Sequence, residues 1–366
     1  MNKKILFAAL AFVALTFGFV ACDVFDPDLG KENENEDEND NIENVVDDDS
    51  TEDNIVGEED YYSCDSTEIV CTGKAYETTS TFTKIAATVH VPTTLLGQCT
   101  LGIQFSENLN DLEEHENVKS FTTSNLTGND YIVKLKYLLG NTTYYYCAYV
   151  YLNGVYHYGL IRSFKTLEYD KIDGHAYVDL GLPSGLKWAT CNVGATKPEE
   201  YGNYFAWGET TPKTSYSWST YKWCNGSYNT MTKYCTDSDY GTVDNKTVLD
   251  QEDDAAAVNM GDSWRMPTFE EQTELRTECT WTWTTLNGVN GYNVEGPNGN
   301  SIFLPAAGYR DSSDLYNGAG AIGHYWSSSL GTYNSGYAYG LDFYSGNVDW
   351  YDGSRYRGRS VRGVCP

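Results

Sequence analysis

Two stretches of this 366-residue chain carry residue types that chemistry uses. The first is DSDYGTVD, Asp237 to Asp244. Its alternating carboxylates suggest calcium. In an EF-hand register, however, the fifth position falls on Gly241 and the twelfth on Val248, so that geometry fails. Such a loop could still hold a structural calcium ion through carboxylate and backbone oxygens, with ligands the sequence does not single out. The histidines give no metal motif. His90, His115 and His157 are scattered, and His175 and His324 lie outside spacings such as H-E-x-x-H. Glu270 and Glu271 are adjacent carboxylates at the start of a predicted helix, where capping and dipole complementation explain them better than acid–base work. Hence no catalytic residue, no metal ligand and no cofactor is assigned.

The second stretch, AYGLDFYSGNVDWYDGSRYRG, runs from Ala338 to Gly358. Tyrosine gives contact area at low entropic cost, while Ser, Gly and Asn adapt, as in an antibody paratope. The candidate ligand-binding residues are Tyr337, Asp342, Tyr344, Asn347, Asp349, Trp350, Tyr351, Asp352, Tyr356 and Arg357. A scaffold must hold them. Leu341 and Phe343 share one strand face, Val348 and Trp350 share a face of the next strand, and Val361 belongs to a closing strand. Trp350 is the weakest candidate, because its parity with Val348 can turn it inward. The competing explanation is a tyrosine-rich sheet exterior, in a chain with 31 tyrosines.

The N-terminus reads as an export signal. Lys3 and Lys4 precede an apolar run that ends in small residues before Cys22. Residues 1–21 are expected to be a lipoprotein signal peptide and Cys22 the lipidated residue, although Phe19 stands where such signals usually carry Leu. Residues 22–62 are expected to be a disordered acidic tether. Asp23 to Asp60 holds 18 acidic residues and one basic residue, Lys31, and self-repulsion extends such a segment. With two lysines ahead of Cys22, this leaves −13 of the total −28 on the body. An acidic body without a basic patch argues against nucleic acid as a partner. Lipidation of Cys22 would leave nine of ten cysteines, so at least one thiol stays free. Cys224 and Cys235 could close a local loop, but the pairing is open.

Two folded bodies are expected. All nine tryptophans lie after residue 180. Residues 63–168 read as an all-β sandwich, with strands in FTKIAATVHV, TLGIQF and TTYYYCAYVYL and a hairpin through NGVYHYG. In the longest strand Tyr144, Tyr146, Ala148, Val150 and Leu152 share one face, and Tyr145, Cys147, Tyr149 and Tyr151 share the other. No chemistry is evident in this body, which reads as a spacer. Residues 170–366 mix strands with two short helices, one near Asp253 to Val258 and one over Phe269 to Arg276 with a Thr268/Glu271 capping box. Trp264 and Arg265 are expected in the core and in an internal ion pair.

Resemblances sharpen these readings. Leu138, Thr142 and Tyr144 resemble the L-x-P-x-T-x-Y strand of fibronectin type III domains, with Gly140 in place of proline. That resemblance implies that Tyr144 is a tyrosine-corner residue. VDLGLPSGLKWATCNVGA, YFAWGET, SWRMPTFEE, IFLPAAGYRD, YWSSS and SVRGV resemble, in order, the FISUMP-type "major paralogous" domain of bacterial surface lipoproteins. The resemblance implies an α+β C-type-lectin-like fold, in which a bound calcium is common. It also implies a shape related to formylglycine-generating enzymes, although their C-terminal cysteine pair is missing, since only Cys365 lies there. The acidic residues behind Cys22 resemble the surface-export signal of Bacteroidetes lipoproteins. The C-terminal patch resembles regions rewritten by diversity-generating retroelements, from which Trp350 departs.

Together these readings predict a non-enzymatic lipoprotein of the outer membrane, exposed at the cell surface. Its membrane contact would be the lipid alone, and its lectin-like head would bind a glycan or a protein. The alternatives are an enzyme of the formylglycine-generating shape and a structural, fimbria-associated subunit. If Cys22 is the anchor, Cys22→Ala should abolish labelling by radioactive fatty acid and partitioning into detergent. Persistent labelling would remove the anchor assignment.

Overall fold

A computed structural model describes residues 67–315 and 318–366. The signal peptide, Cys22, the tether and the first residues of the expected sandwich lie outside the described residues. The structure is mostly β-sheet with few helices.

Nine strands form the first body: β1 (Val70–Tyr76), β2 (Thr83–Val89), β3 (Thr100–Ser106), β4 (Lys119–Thr123), β5 (Leu126–Thr127), β6 (Asp130–Leu135), β7 (Thr143–Leu152), β8 (Val155–Tyr158) and β9 (Arg162–Lys165). They make two sheets, β1-β2-β6-β5 and β4-β3-β7-β8, with β9 also on β7. Alternation decides the core: Ile85, Ala87 and Val89 face Ile103, Phe105, Tyr146, Ala148 and Val150 across the sandwich, all buried. The β7–β8 hairpin turns on Asn153 (φ 51°) and Gly154 (φ 83°), the left-handed pair that a tight two-residue hairpin requires. The Tyr144 ring is buried, and its hydroxyl accepts the Leu139 N–H at 2.9 Å, as a corner tyrosine should.

The second body, the head, begins with β10 (Lys171–Ile172), β11 (His175–Asp179) and β12 (Lys187–Ala189). Two helices follow, α2 (Ala255–Met260) and α3 (Phe269–Glu278), after the short α1 (Leu109–Glu113) of the sandwich. The remaining strands are β13 (Thr280–Leu286), β14 (Val289–Glu295), β15 (Ser301–Pro305), β16 (Arg310–Asp311), β17 (Asp314–Leu315), β18 (Ile322–Leu330), β19 (Tyr337–Tyr344), β20 (Asn347–Ser354) and β21 (Val364–Cys365). Strand β12 pairs with β21, so the first and last segments of the head lock together. The other main sheets are β13-β14-β15 and β18-β19-β20. Helix α2 starts two residues later than expected because Asp254 caps it, accepting from Ala256 and Ala257 N–H. Helix α3 has the expected capping box of Thr268 and Glu271. Trp264 is buried and Arg265 pairs with Glu271 at 2.6 Å, both as expected.

The Cys224–Cys235 link that the spacing allows does not form. Both thiols are buried and free, and each donates to a carbonyl, Cys224 to Trp218 and Cys235 to Asp237. Cys71 is disulfide-bonded. The two bodies keep separate cores but touch. Thr81 donates to Asn300 Oδ1 at 3.0 Å, and Lys136 meets Glu295 at 2.9 Å.

The centre of the head is an irregular run from Ser354 to Gly363 that carries three fully buried arginines. Arg355 donates to the Tyr221 hydroxyl and to the carbonyls of Lys233, Tyr234 and Ser335. Arg362 donates to Asn192 Oδ1 and to the carbonyls of Ala189, Thr190 and Phe303. Arg359 reaches Asp342 at 2.9 Å and lies over the Trp326 ring at 4.3 Å. Arg362→Met would leave several buried acceptors unpaired. It should lower stability in urea by roughly 3–5 kcal/mol. The partly exposed Arg357→Met should cost under about 1 kcal/mol.

Candidate functional site

The C-terminal aromatic stretch is held as the sequence implies, on strands β19 and β20, but its candidates divide between two faces. Register pairs Leu341 with Trp350, Phe343 with Val348 and Tyr339 with Asp352. That face packs against α3 and the core. Tyr337, Trp350 and Asp352 therefore belong to the core-facing side. Trp350 is still 43% exposed, edge-on to Phe269 and Tyr339 with centroids 5.6 Å from each. It rims the core instead of joining the outer patch.

The outer face holds Asp342, Tyr344, Asn347, Asp349 and Tyr351. Tyr344 and Tyr351 are more than half exposed. Asn347 and Asp349 are exposed, with Asp349 also 3.4 Å from Arg276. Asp342 is tied down: it accepts from Arg359, and its other oxygen lies 2.7 Å from His324 Nδ1. The histidine contact is off the line a hydrogen bond needs, so it is a close approach of ring and carboxylate. Two glycines make room for the guanidinium. A β-carbon at Gly340 would come within 2.9 Å of Arg359 Nη1, and one at Gly353 would overlap the group. Burial pulls the Arg359 pKa down, against the nearby Asp342 carboxylate, which raises it.

Tyr356 and Arg357 lie beyond β20 on the turn that leads to the buried arginines. Both engage Asp311 Oδ2 at 3.2 Å, Tyr356 through its hydroxyl and Arg357 through Nε. Tyr356 also packs on Trp218, and Arg357 covers Tyr309, whose ring meets His324 at 4.8 Å. The result is a continuous strip from Trp218 through Asp311 and Tyr309 to Asp342. Sequence reasoning missed Trp218, Tyr309, Asp311, His324 and Arg359. His324 alternates with the buried Tyr325, which marks it as outward-facing, while Trp218 and Asp311 come from irregular segments with no period to read. Within the stretch Ala338 to Gly358, Gly353, Ser354, Arg355 and Gly358 are buried, so that part is scaffold and not contact surface.

The acidic loop Asp237 to Asp244 does not gather carboxylates. Asp244 instead accepts from the N–H groups of Tyr234, Cys235 and Lys246. Among the described residues one group, Asp250, Glu252 and Asp253, is close enough to hold an ion. The ammonium of Lys233 already fills that role, 2.6 Å from Asp250 and from Asp253. Hydrogen bonds from Lys233 and Lys246 hold the Asp250 carboxyl below its ordinary range. Burial raises Asp253, but hydrogen bonds from Lys233, Tyr234 and Lys222 outweigh it and bring it below its ordinary value.

No family model matches this chain, and no curated protein does. Among solved structures, the chain is similar to the sensor domain of the anti-sigma factor RsgI4 of Pseudobacteroides cellulosolvens. Identity is 25%, covering 27% of this chain and 74% of that one, with a TM-score of 0.21. It is also similar to a fibronectin type III domain from the human KIAA0970 protein. Here identity is 13%, covering 29% of this chain and 77% of that one, with a TM-score of 0.22.

The depressed carboxylates set a sign. Their contribution to stability is complete above the unfolded value near pH 4 and is lost as pH falls through the lower folded values. Lys233→Met should therefore lower the melting temperature at pH 7, and that deficit should shrink as pH falls below about 4. EDTA should leave the melting temperature of the native protein unchanged. A fall with EDTA, restored by calcium, would show that a metal and not the lysine completes the cluster.

Proposed function

We propose that this chain is a surface-anchored, non-catalytic binding protein. A lipid at Cys22, an acidic tether and a fibronectin III-like spacer would carry a C-type-lectin-like head of the FISUMP type, with the outer face of β18-β19-β20 as its contact surface. The observation that carries this reading is the division of labour on that face. Asp342 and Asp311 are each matched by a guanidinium, while Tyr344 and Tyr351 stand free and exposed beside them. Both carboxylates are committed as acceptors to a guanidinium, which supports contact over acid–base chemistry. Exposed tyrosines on a rigid sheet are well suited to hold a glycan or a protein surface.

The structural-subunit reading has one observation in its favour, since β20 is an eight-residue edge strand. Its edge carries Asp349 and Asp352, however, and charges there discourage strand pairing.

Binding to a glycan array and to neighbouring bacterial cells should be lost in the double variant Tyr344→Ala, Tyr351→Ala. Its melting temperature should stay within a few degrees of the parent, because exposed changes usually cost under about 0.5 kcal/mol each. Leu341→Ala should instead destabilise the head by roughly 2–5 kcal/mol. A double variant that binds like the parent would move the site elsewhere.

A further inference from the structure

The sandwich, read from sequence as a spacer, carries a second aromatic surface. Register in the β7–β8 hairpin sets Tyr149 opposite Tyr158 and Tyr151 opposite Tyr156, on the face away from the core. The four rings form one block. Tyr151 and Tyr156 lie 4.6 Å apart, and Tyr156 and Tyr158 lie 5.8 Å apart with planes 6° from parallel. His115 extends the block by stacking on Tyr158 at 3.5 Å, with Nδ1 2.9 Å from Gln104 Oε1. Tyr149 rests on the sheet because position 102 is glycine: a β-carbon there would come within 2.7 Å of its ring.

This surface is open, and its charges lie at its margin, where Asp111 accepts from Ser106 and Lys165 of β9 faces the same side. Tyr156 is 51% exposed and Tyr151 37% exposed, and among the described residues their hydroxyls have no hydrogen-bond partner. Every outward position of β3, β4, β7 and β8 is aromatic, hydroxyl, amide, thiol or glycine, in a chain whose net charge is −28. A face whose charges lie only at its margin gives an ionic partner little to pair with, and the net negative charge of the chain repels acidic polymers. Aromatic faces edged by hydroxyl and amide groups match a ligand with apolar C–H faces and many hydroxyls. An exposed aromatic patch of this kind on a folded domain marks an interaction site.

We propose that the outer face of the β4-β3-β7-β8 sheet binds a neutral polysaccharide, with Tyr151 and Tyr156 as stacking residues and His115 and Gln104 at its border. This site is separate from the head and does not depend on the head's role.

The test is affinity electrophoresis of the full chain in native gels. The gels contain a neutral polymer (β-glucan, mannan or starch) or an anionic one (alginate or polygalacturonate). At least one neutral polymer should retard the protein and the anionic ones should not. Tyr156→Ala and Tyr151→Ala should each weaken retardation at least tenfold at parental melting temperature, while Tyr333→Ala, at an exposed tyrosine of the head that neither site uses, should leave it unchanged. The proposal falls if no neutral polymer retards the protein, if anionic polymers do so equally, or if both sandwich variants behave like the parent. It also falls if sedimentation shows a dimer that Tyr156→Ala dissolves, since a second copy would then cover the face.

Discussion

The head depends on the burial of Arg355, Arg359 and Arg362 in one irregular segment. A guanidinium removed from water needs partners: those of Arg355 and Arg362 are mainly main-chain carbonyls of distant segments, whereas Arg359 has the Asp342 carboxylate and its Nε is left without a hydrogen-bond partner among the described residues. Each arginine therefore acts as a node. Arg355 fixes the long irregular region around Tyr221 and Tyr234, Arg362 joins the start of the head to β15, and Arg359 anchors the outer sheet through Asp342. Irregular chain accounts for most of residues 190–250, and carbonyls there have few ladder partners of their own. The arginines supply those partners.

The same constraint shapes the candidate site. Because Arg359 reaches Asp342 across one end of this same face, Gly340 and Gly353 are kept bare, and that end is filled and electrically matched. Tyr344 and Tyr351 then stand on a surface that need not reorganise when something binds, which lowers the entropic cost of contact. Its charges are committed to holding it in shape.

The acidic character of the chain is handled locally in the head. Asp250 and Asp253 share the Lys233 ammonium, Glu271 is held by Arg265, and Asp254 is spent on capping α2 and on Met266 N–H. Asp244, in the loop whose sequence suggests calcium, likewise accepts from the N–H groups of Tyr234, Cys235 and Lys246. The sandwich is built mainly by alternation and a corner tyrosine, and it leaves an aromatic block on one sheet face.

Much of this was legible in the sequence, because it rests on short-range rules. Alternation in TTYYYCAYVYL determined which tyrosines enter the sandwich core, Asn153–Gly154 marked a hairpin, and Thr268 with Glu271 marked a helix start. Parity also warned that Trp350 follows Val348. Other features depend on contacts between residues far apart in the chain. Nothing local distinguishes Arg357, which lies at the surface on Asp311, from Arg355 and Arg359, which are buried two residues to either side. Only the packing of the irregular segment under β19 and β20 makes that choice. Likewise Cys224 and Cys235 have a spacing compatible with a bridge, but the loop turns each thiol toward a carbonyl. The sequence by itself determined the strands, their faces and the caps, because those follow from local backbone geometry. Tertiary structure alone decided which charges are buried and which rings share a surface, because both depend on where distant segments bring their carbonyls and glycines.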